Sequence, residues 1–176
     1  MINITSITKT FGEVRSLHDI TAEVPDGSIF GLIGSNGSGK STLLRTLSGV
    51  YRPENGNVSV DGYAVFNNPD IKRRIFYLPD NPYFFKNANL KEMASFYEGM
   101  YQSFDRERFN YLTEVFPISI TKKIDNMSKG MQRQAALMLA LATKPKYLLL
   151  DEAFDGLDPV MRGVLKSLLI DGIETT

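Results

Sequence analysis

Residues Gly34-Ser35-Asn36-Gly37-Ser38-Gly39-Lys40-Ser41 fit the pattern G-x-x-x-x-G-K-[ST] in full. The chemistry this spacing supports is the holding of a nucleoside triphosphate. Glycines at 34, 37 and 39 let the backbone curl so that successive N–H groups point into one concavity. A helix beginning near Gly39 adds its positive dipole end, Lys40 brings a cation to the outer phosphates, and Ser41 offers a hydroxyl to Mg²⁺. The expected nucleotide-binding set is therefore Gly34, Ser35, Asn36, Gly37, Ser38, Gly39, Lys40, Ser41 and Thr42. A second cluster closes the apolar run Tyr147-Leu148-Leu149-Leu150 with Asp151-Glu152. At such a strand tip Asp151 can hold Mg²⁺ through its water shell. Glu152, one residue on, points elsewhere and can take a proton from an attacking water. Alone, the run also reads as a strand ending in a polar turn; the loop upstream favours the metal and base roles.

These groups need a scaffold, and the pattern around them supplies one. The apolar run Ile29-Phe30-Gly31-Leu32-Ile33 predicts a buried strand leading into the loop, and Thr42-Leu43-Leu44-Arg45-Thr46-Leu47 leads out at helical spacing. Ile2 to Ile7 and Leu17 to Val24 alternate as half-buried strands do, with a Pro25-Asp26-Gly27 turn after the second. Pro53-Glu54-Asn55-Gly56 predicts a turn, Asn57 to Val60 a short strand, and Ile75 to Leu78 a buried strand stopped by Pro79. Asn89 with Glu92 predicts a capped helix to about Gly99, and Asp105 opens another that ends before Pro117. Gly130 to Thr143 reads as a long apolar-faced helix. Tyr147 to Leu150 reads as a strand covered on both faces. Asp158 and Pro159 open a last helix.

Composition narrows the class. Lys plus Arg and Asp plus Glu both total 20 in 176 residues, which argues against a dedicated nucleic-acid binder. Cysteine is absent, so neither a disulfide framework nor thiol chemistry is available. No apolar run approaches the ~20 residues of a membrane span, so any membrane role is expected to come through a partner.

Upstream of the acidic strand lies Asn126-Met127-Ser128-Lys129-Gly130-Met131-Gln132-Arg133-Gln134, and downstream Phe154-Asp155-Gly156-Leu157-Asp158-Pro159. The first resembles the LSGGQ signature of ATP-binding cassette (ABC) ATPases, in an LSKGM form; the second resembles their D-loop. Phosphate loop, signature, acidic strand and D-loop in this order resemble the ABC nucleotide-binding domain over essentially the whole chain. The resemblance implies an α/β fold of the P-loop NTPase (RecA-like) class. It would have a parallel core, an N-terminal antiparallel β subdomain and a helical signature subdomain. The expected boundaries are 1–80 and 144–176 for core and β subdomain, and about 81–143 for the helical insert.

By the same resemblance, Ser128 and Gly130 face the γ-phosphate bound by an opposing subunit. Ser128 also reads as a plain helix N-cap, and a capped N-terminus is itself an anion site. Asp158 is a helix cap and, by resemblance, part of the dimer seam. Phe11 stands where the family stacks an aromatic on adenine, and otherwise reads as a strand-edge phenylalanine. Asp80 follows Tyr77-Leu78-Pro79 where the family's Q-loop carries glutamine. It reads either as a metal-shell carboxylate, catalytic together with Glu152 and Lys40, or as a polar residue of the Pro79-Asp80-Asn81-Pro82 turn. The family's switch histidine belongs further on than Glu152, yet the sole histidine is His18. The chain is thus expected to stop short of the H-loop and its strand, and to hydrolyse weakly as it stands.

The resemblance implies ATP and Mg²⁺ as cofactors and an ATPase that drives transport. Its partners would be a transmembrane permease and a second ATPase subunit, in a homodimer or heterodimer, on the cytoplasmic, inner face of the cell membrane. The alternatives are a soluble non-transport ABC ATPase and a non-hydrolysing ATP-binding regulatory module.

Overall fold

Broken alternation shapes the first sheet. Isoleucines at 2, 4 and 7 cannot all face one side of a regular strand, because side chains alternate with period two. In the computed structural model, which describes residues 1–174, all three are buried. Ser6 sits at φ +47°, the pairing register shifts between Ile4 and Ile7, and the extra residue turns Ile7 back to the core. This strand, β1 (Ile2–Phe11), pairs antiparallel with β2 (Val14–Val24) on one side and β3 (Asn55–Val60) on the other. The two-residue β4 (Tyr63–Ala64) adds to β3, giving the order β2-β1-β3-β4. The turn expected over 53–56 is shorter than the residues suggest, since β3 already begins at Asn55.

After the phosphate-type loop comes α1 (Lys40–Leu47), which buries Leu43, Leu44 and Leu47. Then follow α2 (Pro69–Lys72), β5 (Ile75–Leu78), α3 (Leu90–Met100), α4 (Arg106–Val115), α5 (Lys129–Ala142), β6 (Tyr147–Leu150) and α6 (Pro159–Glu174). The chain forms two units: residues 1–77 with the chain from Val164, and residues 78–163.

Ile29 to Ile33 departs from expectation. No strand forms there, Ile33 is 100% exposed, and Ile29 and Phe30 are exposed as well. Apolar composition favours burial, but a strand exists only where neighbouring strands take its N–H and C=O groups. None of β1 to β4 pairs with these residues.

The second unit is helical, and local signals set its boundaries. Asn89 accepts from the Glu92 backbone N–H at 2.9 Å while the Glu92 carboxylate accepts from the Asn89 N–H at 2.9 Å, a full capping box. Helix α5 packs on α3 and α4 and buries every residue from Ala135 to Ala140. In β6, Tyr147 and Leu149 are buried while Leu148 and Leu150 are half-buried, so coverage is less even than an all-apolar run implies.

The start of α4 yields a stability prediction. Asp105 caps it by accepting from the Arg108 N–H at 2.8 Å, and that bond, helped by Lys144, holds the Asp105 carboxyl below the usual carboxylate value. A depressed folded pKa contributes stability above the unfolded value of about 3.9, and that contribution is lost as pH falls through the folded value. Asp105→Ala should therefore lower unfolding free energy by about 1 kcal/mol at neutral pH. The difference should close in acid, and urea melts of both proteins at the two pH values check it.

Candidate functional site

The residues singled out by the sequence fall in both units, and each group has its own geometry. In the first unit, the loop is shaped by one position above all. Gly39 has φ +93°, and a Cβ there would lie 2.4 Å from the backbone oxygen of Ser16. Only glycine fits, so the chain turns into α1 close against β2. Ser16 Oγ donates to Thr42 Oγ1 at 2.8 Å, which fixes the first turn of the helix to the same strand. Gly39 supplies no side-chain cap, so the leading N–H groups of α1 are not taken by a side chain at that position. The Lys40 ammonium donates to the carbonyls of Gly34 at 2.8 Å and Ser35 at 2.9 Å, bracing the loop across its own mouth. A helix N-terminus without a side-chain cap and a cation beside it suit an anion of high charge.

Phe11 ends β1 and is 44% exposed. Its edge meets Tyr51, with centroids 5.2 Å apart at 66°, and Lys9 Nζ lies 5.3 Å from its ring centre. Tyr51 carried no signal in the sequence beyond being aromatic, yet it packs against the Phe11 ring. His18 is exposed on β2.

In the second unit, Asp151 and Glu152 follow β6 with opposite fates. Asp151 is 3% exposed, and its N–H donates to the Leu78 carbonyl at 2.9 Å, tying the end of β6 to the end of β5. Glu152 is exposed and left-handed, at φ +52°. A buried carboxylate calls for a cation or donors, whereas an exposed one next to it is available to water. The Asp151 carboxylate is a hard oxygen donor of the kind Mg²⁺ takes, and by itself it is far short of an all-protein cage.

Ser128 caps α5, its Oγ accepting from the Met131 N–H at 3.3 Å. Gly130 has a packing reason of its own: a Cβ there would lie 3.0 Å from the Gly156 carbonyl oxygen. Asp158 caps α6 through Val160 N–H at 2.9 Å and Met161 N–H at 3.0 Å. Asp80 is neither isolated nor a bare turn residue. Its Oδ1 accepts from Arg133 at 2.6 Å and its Oδ2 from the Asn81 amide at 3.0 Å. Arg133 carries little signal in the sequence beyond being a cation in the first turns of the helix that follows Ser128.

A loop that admits only glycine at position 39, opening an amide-lined helix on an α/β scaffold with an antiparallel N-terminal sheet, defines a phosphate-loop nucleotide-binding protein. Residues 17–155 match the ABC transporter family, and the chain belongs to it. The ABC transporter ATP-binding protein YtrB of Bacillus subtilis is 32% identical over 173 residues, covering 98% of this chain and 59% of that protein. The sulfate/thiosulfate import ATP-binding protein CysA of Nephroselmis olivacea is 37% identical over 175 residues, 97% of this chain and 51% of that one. This chain thus spans between half and three-fifths of the length of these two relatives. A solved ATP binding subunit of an ABC transporter has the same fold, with a TM-score of 0.89 at 24% identity over 99% of this chain and 75% of that one. The α/β P-loop NTPase architecture expected from the motifs is the architecture found.

Proposed function

We propose that this chain is the nucleotide-binding part of an ATPase subunit that powers an ABC transporter. Lys40 and the amides from Gly34 to Thr42 bind the phosphates, and Phe11 stacks on the adenine with Tyr51 at its edge. Ser41 and Asp151 hold Mg²⁺, which when bound neutralises charge on the outer phosphate oxygens. Glu152 accepts a proton from the attacking water. Ser128 and Gly130 complete the site of a second subunit across a head-to-tail dimer whose seam includes Asp158. Asp80 is left out of the metal set because Arg133 already engages its carboxylate. We take residues 1–80 and 144–176 as the core and β subdomain and about 81–143 as the helical insert.

The observation that carries this reading is the pairing of a buried Asp151 with an exposed Glu152 at the tip of β6. A regulatory module that only binds ATP has no need of the second carboxylate. No helix among the described residues is long and apolar enough to cross a membrane. On the family resemblance we assign the membrane-spanning path to a separate permease, with the ATPase on its cytoplasmic face. The full-length protein should bind ATP saturably and release phosphate only when Mg²⁺ is present. Calorimetry and a phosphate-release assay test this. Binding without any turnover would return the protein to the regulatory class, and no binding at all would remove the phosphate-loop assignment.

A further inference from the structure

We infer that Arg133 is a positioning residue for hydrolysis, acting on Glu152 through the peptide that carries it. The inference rests on the reading of Glu152 as the base. The Arg133 side chain is 14% exposed and serves three acceptors. One terminal nitrogen donates to the Glu152 carbonyl. The other donates to the Asp80 carbonyl and to Asp80 Oδ1, each at 2.6 Å. These are charge-assisted bonds from a planar fork, a geometry that a lysine ammonium cannot reproduce.

Glu152 needs such support. A left-handed φ is uncommon for a residue with a Cβ, so the direction its side chain takes depends on what holds the flanking peptides. Two donors meet on its carbonyl. One is the Asp155 N–H at 3.0 Å, a bond of the turn itself; the other comes from Arg133, on a different element. The same short stretch 78–80 also grips the preceding residue, since the Leu78 carbonyl accepts the Asp151 N–H. Asp151 and Glu152 are thus both referenced to one stretch of backbone, the first directly and the second through Arg133. A movement of residues 78–80 would turn the Glu152 peptide with it.

The test uses the full-length protein and reads kcat, KM and the ATP Kd for Arg133→Ala and Arg133→Lys, each alone and combined with Glu152→Gln. Arg133→Ala should lower kcat about 10²-fold, the scale of a misplaced reacting group, with Kd within about threefold of wild type. Lysine should recover little, and added guanidinium ion should restore part of the alanine variant's rate. In the Glu152→Gln background Arg133→Ala should cost nothing further, because a side chain that cannot act as base loses nothing by being turned. Losses that multiply in the double variant would overturn the inference, as would a raised Kd with kcat unchanged. Should the alanine variant lose its fold, Arg133→Gln, which keeps a planar donor, completes the same cycle. Wild-type turnover in Glu152→Gln alone would instead bring down the base assignment, and this inference with it. A normal Glu152→Gln loss beside multiplying losses would remove Arg133 only.

Discussion

Glu152→Gln is expected to leave ATP binding intact while hydrolysis falls about 10²–10⁴-fold, the usual worth of a positioned general base. That range corresponds to about 3–5 kcal/mol of transition-state stabilisation. Glutamine keeps the size and polarity of the side chain but cannot accept a proton at neutral pH. The exposure of Glu152 makes the comparison clean, because no buried charge is removed and stability should be unchanged. The backbone conformation at 152 is equally demanding for both residues, so any loss reports on chemistry rather than on strain. The sandwich dimer should then accumulate with ATP, since closure no longer leads to product. Size-exclusion chromatography in ATP and a phosphate-release assay read the two halves of the expectation. A variant that hydrolyses ATP at the wild-type rate would assign the base to another group.

Lys40→Ala is expected to weaken ATP binding by about 10–100-fold. A hydrogen bond to a charged group contributes about 1.5–3 kcal/mol, and each 1.4 kcal/mol is tenfold in affinity. Two effects combine at this residue. The cation leaves the outer phosphates, and the brace from Nζ to the Gly34 and Ser35 carbonyls is lost, so the loop amides are held less firmly in place. Lys40→Arg separates the two, because arginine keeps the charge on a bulkier, planar head. Calorimetry with ATP and Mg²⁺ on the three proteins measures the difference. Equal affinity in wild type and Lys40→Ala would remove lysine from the binding set.

Much of this molecule was legible in short windows of sequence. The phosphate-type loop is one example: Gly39 must be glycine because its φ is positive and a Cβ has no room, so the motif carries its geometry in a few adjacent residues. Caps are another. Asn89, Asp105, Ser128 and Asp158 each begin the helix expected of them, because an N-cap is a bond between residues two or three apart. The order of motifs was likewise sufficient to imply the family and its architecture.

What the tertiary structure alone decided involves partners far apart along the chain. The bulge at Ser6 that returns Ile7 to the core exists only in register with two other strands. Ile29 to Ile33 has the composition of a strand but no ladder among β1 to β4, and composition cannot supply one. The contrast between Asp151 and Glu152, one buried and one exposed, arises where the chain leaves β6 and turns left-handed at Glu152, and only tertiary packing says which of the two side chains is covered. Arg133 reaches a carbonyl 19 residues ahead of it and a carboxylate 53 residues behind. No local window contains all three of those residues. Local sterics and short-range hydrogen bonds are written in adjacent residues, whereas long-range pairing is settled only when the whole chain competes for the same neighbours.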